Sequence, residues 1–233
     1  DRLRSRGLGD VYKRQHYDHA ATNAYHTEYT VTASGVTLHT HVGIAAICVQ
    51  KFLDLDVTWT VANNGSVDLA LHAQRNTVFP ELPRFGLRLF LPQEMSQVNY
   101  YGMGPMECYR DKHHAASHSS YTATVWQLHE DYIRPQENGS HFDCDYVMLA
   151  GDAVRLTAVG TQPFSFNASH YTQEELTRKA HNYELEPCGS TVLCLDYAQN
   201  GIGSESCGPR LLEQYRLDDA TFNFGLCLFP EKK

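Results

Sequence analysis

From residue 27 onward, apolar and polar residues alternate with period two, the signature of strands with one buried face. Leu53, Leu55, Val57, Trp59 and Val61 alternate with Asp54, Asp56, Thr58 and Thr60. Asn63-Asn64-Gly65 follows, and Val67, Leu69 and Leu71 resume the alternation. Two amphipathic strands around Asn-Gly predict a β-hairpin, because Asn and Gly accept the positive φ that tight hairpin turns require. Leu87, Leu89 and Leu91 keep the period until Pro92, and Leu193, Leu195, Tyr197 and then Phe222, Phe224, Leu226, Leu228 repeat it. One segment differs. Thr172-Gln-Glu-Glu175 has the form of a capping box, with Thr172 as N-cap and Glu175 at N3, and good helix formers follow to Ala180. Many short strands and one short helix predict an all-β sandwich or barrel; with no linker or low-complexity stretch, a single domain is expected.

Composition narrows the functional classes. The 14 Tyr and 10 Phe supply bulky, half-polar packing groups, and a chain of 233 residues is long enough to bury a substantial core. No window approaches the run of about 18 apolar residues that a membrane helix needs. A formal charge of −8 argues against nucleic acid as the partner, since phosphate binding needs clustered cations. Seven cysteines at 48, 108, 144, 188, 194, 207 and 227 form no C-x-x-C pair, so free thiols in a reducing, cytoplasmic setting are expected. Of three sequons, Asn64-Gly-Ser and Asn138-Gly-Ser read first as turns; the third is Asn167-Ala-Ser. Residues 1–15 carry five cations (Arg2, Arg4, Arg6, Lys13, Arg14) and no alternation, so a foreign extension ahead of a domain over 16–233 is expected.

Candidate chemistry is sparse. His114 and His118 are spaced i, i+4 beside His113, and His39 and His41 share a strand face, but neither set has the Glu or Cys that would complete a tetrahedral metal site. No metal ligand is assigned. Gly201-Ile-Gly203-Ser-Glu205-Ser206-Cys207-Gly208 lacks the Lys-Ser/Thr ending of a phosphate loop and reads as a shaped loop at a sandwich edge. Cys207 has only Arg210 near it to lower a thiol pKa, and no spacing singles out a carboxylate pair, so no catalytic residue is assigned.

Six segments in order resemble the small-chain, or C-terminal, domain of the β-galactosidases of glycoside hydrolase family 2. They are Glu81-Leu-Pro-Arg-Phe-Gly-Leu87; Tyr100-Tyr-Gly-Met-Gly-Pro105 running on through Glu107, Tyr109, Arg110, Asp111 and Lys112; Tyr132-Ile-Arg-Pro-Gln-Glu-Asn-Gly139; Pro163-Phe-Ser-Phe-Asn-Ala-Ser169; Tyr171-Thr-Gln-Glu-Glu-Leu176; and Gly201 to Pro209. The resemblance implies a large antiparallel sandwich of the galactose-mutarotase-like type, truncated on its N-terminal side. It implies hydrolysis of terminal β-D-galactosides with retention, by two glutamates of a barrel domain this sequence lacks, with magnesium on that barrel and no cofactor on this chain. The partner implied is a barrel-containing large subunit, or the rest of one long chain, in an oligomeric enzyme. Gly201, Gly203, Glu205, Ser206 and Cys207 match a loop at the rim of the sugar pocket, where Cys207 replaces a tryptophan of familiar relatives and so removes an aromatic stacking face.

Two other classes stand beside this. One is a free-standing carbohydrate-binding sandwich using Tyr100, Tyr101 or Trp126. The other is a mutarotase-like epimerase, which needs a His and a Glu converging in a cleft.

Overall fold

The computed structural model describes residues 17–46, 50–201 and 211–233. Eleven antiparallel strands form one continuous hydrogen-bonded sheet that folds back on itself into a sandwich. They are β1 (Ala20–Thr32), β2 (Gly35–Ala46), β3 (Leu53–Ala62), β4 (Val67–Arg75), β5 (Arg84–Pro92) and β6 (Gln97–Gly104). β7 (Ser117–Thr124), β8 (Ser140–Ala150), β9 (Val154–Ser169), β10 (Ser190–Gln199) and β11 (Thr221–Lys232) complete the set. The main path runs β1-β2-β3-β4-β11-β9-β8-β6-β7, and β10 joins β9 to β5.

The fold-back is made by β8 and β9. Val154–Gly160 of β9 pairs with β11, whereas Ser165–Ser169 pairs with β10. Between these halves the β8–β9 register shifts twice, around Cys144, and Asp143 takes φ 55°. Such bulges bend a strand pair and let one long hairpin serve both layers. The core fills the space between the layers, with Leu149, Phe164, Phe166, Leu193, Leu195, Phe224 and Leu226 fully buried. Phe222 of β11 meets Phe85 of β5 edge-on at 5.0 Å and stacks on Tyr197 of β10 at 4.4 Å, tying the layers together.

The expected alternation is present in part: every residue of β1 is exposed, so the period from residue 27 marks no buried face there, and Val61 at the end of β3 is exposed as well. Leu53, Leu55 and Val57 of β3 face the core, as do Phe222, Phe224, Leu226 and Leu228 of β11. β3 and β4 form the expected hairpin; Gly65 takes φ 87°, and Asn64 Oδ1 accepts from the Ser66 amide at 3.0 Å. Asn138-Gly139 has a different role: it lies at the end of the long β7–β8 loop, with Asn138 buried and Gly139 at φ 71°. Helix α1 spans Gln173–Arg178, and only half of its capping box forms. Thr172 Oγ1 accepts from the Glu175 amide at 3.1 Å, but Glu175 turns away to accept from the Glu186 amide at 3.0 Å and from Arg178. A buried cation closes the β4 end: Arg75 donates to the carbonyls of Phe79, Pro80, Asp218 and Asp219.

Candidate functional site

The loops leaving β6 and β10 and the far end of the β7–β8 loop meet at one end of the sandwich, and there Arg84, Glu107, Glu137 and Asp196 are drawn away from water. Arg84, the first residue of β5, lies opposite Gln199 in the β5–β10 register. Its guanidinium forks onto Asp196 of β10, with Nε 2.8 Å from Oδ1 and Nη2 2.6 Å from Oδ2. Nη1 reaches Glu137 of the β7–β8 loop at 2.9 Å. A planar fork matched to a carboxylate is the geometry that best compensates burial of the charges. Burial pushes both the Asp196 and Glu137 carboxyls up, and Arg84 pulls both back down. One cation faces two buried acids, so every partner counts.

Glu107 forms the second knot. Burial alone would raise its pKa, but Tyr132, the Gly139 amide and Lys112 hold it below the usual carboxylate range. Tyr132 Oη and Lys112 Nζ donate to Oε1, the lysine at 3.1 Å. Tyr109 Oη and the Gly139 amide donate to Oε2 at 3.1 and 3.0 Å. One carboxylate thus gathers the β6–β7 and β7–β8 loops. Asn138 continues the tie: its carbonyl accepts from Asn167 of β9, and its Oδ1 accepts from the Glu130 amide at 3.0 Å. Behind it, His141 of β8 stacks on Phe166 at 5.1 Å. Its Nδ1 lies 3.2 Å from the Met103 carbonyl and 3.1 Å from Tyr100 Oη. A carbonyl only accepts, so Nδ1 carries the proton. Nε2 is buried without a hydrogen-bond partner, and burial drives the imidazole down to about 4.

The described residues that flank the loop singled out in the sequence are fixed on both sides. Asn200, just before it, donates its amide to the Pro83 carbonyl at 2.9 Å and accepts from the Leu217 amide at 2.7 Å. On the far side, Arg216 Nε donates to the Leu211 carbonyl at 3.1 Å, and Arg110 Nη1 to the Arg216 carbonyl at 3.3 Å. Gly201 is buried, and a Cβ there would fall on the Asp111 carboxylate, which would have to move aside. Gly203, Glu205, Ser206 and Cys207 lie outside the described residues, as do residues 1–15.

The other sequence candidates disperse. Tyr100 is 0% exposed, which removes it as a surface sugar platform: in β6 it shares the inward face with Val98, whereas Tyr101 (37% exposed) points out. His114 and His118 are not on a helix; His118 is in β7 and bonds the Asp143 carbonyl at 3.0 Å. His39 and His41 do share a face of β2, engaging Thr58 and Asp56 of β3. Among the described residues no group of three or more His, Cys, Asp and Glu is placed to hold a metal ion. Cys108, Cys144, Cys188, Cys194 and Cys227 are free thiols, and burial raises Cys194 to about 12. Asn138 and Asn167 are buried, so neither sequon is open to a glycan in the folded chain.

Fold and charged platform together define an antiparallel β-sandwich that gathers these enclosed charges where the β6–β7 and β7–β8 loops meet the start of β5 and the end of β10. The chain belongs to the β-galactosidase small-chain family, whose model matches residues 4–228. It is 41% identical over 225 residues to a β-galactosidase of Actinobacillus pleuropneumoniae, covering 97% of this chain and 22% of that protein. A β-galactosidase of Staphylococcus xylosus is 37% identical over 212 residues, covering 91% of this chain and 21% of that protein. The chain therefore spans about a fifth of the length of these relatives. Among solved structures it is similar to a galactose 1-epimerase from Lactobacillus acidophilus, with a TM-score of 0.45 and 10% identity over 88% of this chain and 66% of that one. No helix among the described residues is long and apolar enough to cross a membrane.

Proposed function

We propose that this chain is the small-chain domain of a retaining β-galactosidase of glycoside hydrolase family 2, supporting an active site whose two catalytic glutamates lie in a barrel domain elsewhere. The observation that carries the reading is the collinear match to the small-chain family over residues 4–228. Retaining hydrolysis needs two carboxyl groups about 5–5.5 Å apart, one as acid/base and one as nucleophile. Here the buried acids Asp196, Glu137 and Glu107 are committed to Arg84, Lys112, two tyrosines and an amide. Their work is positional. They hold the β10 end and the two long loops still, so that Gly201, Gly203, Glu205, Ser206 and Cys207 border the sugar pocket from one side. Rigid support of this kind matters because misplacing a contact by about 1 Å costs on the order of 10²-fold in rate. By the family resemblance, the magnesium of the proposed enzyme is expected on the barrel domain.

The test is hydrolysis of a chromogenic β-galactoside by the purified chain, alone and mixed with a barrel-containing large chain. The chain alone is expected to be inactive and the mixture active. Turnover by the chain alone would place catalytic groups within it and overturn the assignment.

A further inference from the structure

Outside the platform, the loop after β7 builds a second feature that the proposed role does not use. Thr124 to Leu128 form a tight turn: the Gln127 and Leu128 amides bond the Thr124 carbonyl, and Gln127 Oε1 accepts from the Thr124 amide at 2.8 Å. Trp126 rides on this turn and remains 49% exposed. His170, almost fully buried and within 3.4 Å of both the Ser190 carbonyl and Thr191 Oγ1, packs its ring 4.7 Å from the indole. Tyr171 stands nearly perpendicular to the indole at 5.9 Å, and His129 lies 5.1 Å from Tyr171.

The groups around these rings are polar and held in place. Burial lowers the His129 pKa and so favours the neutral imidazole; its Nδ1 is enclosed without a hydrogen-bond partner, which leaves Nε2 as the ring nitrogen for a ligand. Asp131 is close enough to raise the pKa of both His129 and Tyr171, and it accepts from Asn182 Nδ2 at 3.0 Å. An open indole on a fixed turn, flanked by a phenol, a neutral imidazole and a carboxylate, matches the two-sided chemistry of a pyranose. The C–H face of the sugar lies on the ring, and its hydroxyls meet the polar rim.

We propose that Trp126, Tyr171 and His129 form a weak binding platform for a β-galactoside. The choice of sugar rests on the function proposed above; the platform itself rests on the ring geometry. The chain has two tryptophans, Trp59 and Trp126, so intrinsic fluorescence reads the site. Titrating the full chain with methyl β-D-galactopyranoside is expected to give a saturable emission change with a midpoint of about 1–10 mM, the range of a single-ring contact. Trp126→Phe should abolish the change, and Tyr171→Ala should weaken binding about tenfold. Absence of a saturable change up to about 100 mM, or an equal change in Trp126→Phe, overturns the proposal. Loss of association with a barrel-containing chain in Trp126→Phe, without sugar binding in the unmutated chain, would instead make the patch a protein contact. Because the readout is binding by this chain alone, it can fail while complementation of hydrolysis succeeds, and the reverse.

Discussion

The wing formed by β1, β2 and β3 and the loop end beneath Gly201 use the same residue types to opposite effect. On the wing every residue of β1 is exposed, and ionisable groups lie in register on an open surface. His41 of β2 faces Asp56 and Asp54 of β3 at 2.9 and 3.3 Å, and Thr27 meets Thr40 across β1 and β2 at 3.3 Å. At the loop end Arg84, Glu137, Asp196 and Glu107 are nearly withdrawn from water, and each is met by fixed donors or acceptors. Distances are alike in the two regions, but the dielectric is not. A pair at 3 Å in water is screened and replaceable, whereas the same pair in the interior cannot lose one member without stranding the other. Charge that is decorative on the wing is structural at the loop end.

The sharpest way to break the comparison is Arg84→Met. It keeps the apolar stem but strands Asp196 and Glu137, and it should cost about 3–5 kcal/mol of unfolding free energy. Urea denaturation measures this, and a cost under about 1 kcal/mol would place the loop end with exposed pairs. His141 probes the same interior through pH. Its imidazole falls from 6.5 in the unfolded chain to about 4 in the fold, so the folded state prefers the neutral ring. Its contribution is therefore intact above pH 6.5 and is lost as pH falls from 6.5 towards 4, by about 3 kcal/mol in all. Glu137 and Asp196, held up by burial, titrate in the opposite sense, so the informative quantity is a difference between proteins. His141→Asn keeps a donor for the Met103 carbonyl but has no imidazole to protonate. The stability gap between it and the unmutated chain should narrow by about 2–3 kcal/mol between pH 7 and pH 4.5; a gap independent of pH would show that the ring is already hydrated.

The wing was far easier to read in the sequence than the loop end. Alternation from Leu53 to Val61 and the turn at Asn63-Asn64-Gly65 specify β3 and β4, because an antiparallel strand with one wet face writes its burial into every second residue. β10 carries the alternation at Leu193, Leu195 and Tyr197, but the period does not report its burial, since nearly all of Ser190–Gln199 is buried and both faces are covered. Asp196 occupies a polar position that reads as solvent-facing, yet it sits under Arg84. Asn138-Gly139 has the composition of a hairpin turn, but its neighbours in space are Glu107 and Asn167, set by loops of a length no local pattern encodes. Glu107, Tyr109, Tyr132 and Glu137 fall within the segments that carry the family resemblance, although their roles became visible only with burial and partners. The bend of β9 left no periodic trace either.

The smallest expected effect lies back on the wing and completes the contrast. His41 makes two contacts to carboxylates, and a count of contacts would rank it as important. Its side chain is 41% exposed and that of Asp56 is 70% exposed, so water and salt compete for both. Lys51 also contacts Asp54 there, and loss of the imidazole leaves that carboxylate with a cation beside it. His41→Ala should therefore change the unfolding free energy by under about 0.5 kcal/mol, and the change should shrink further in 0.5–1 M salt at roughly 3–4 Å screening length. A loss above about 2 kcal/mol, insensitive to salt, would mean that the β2–β3 surface is shielded from water, and the distinction between wing and loop end would lose its physical basis.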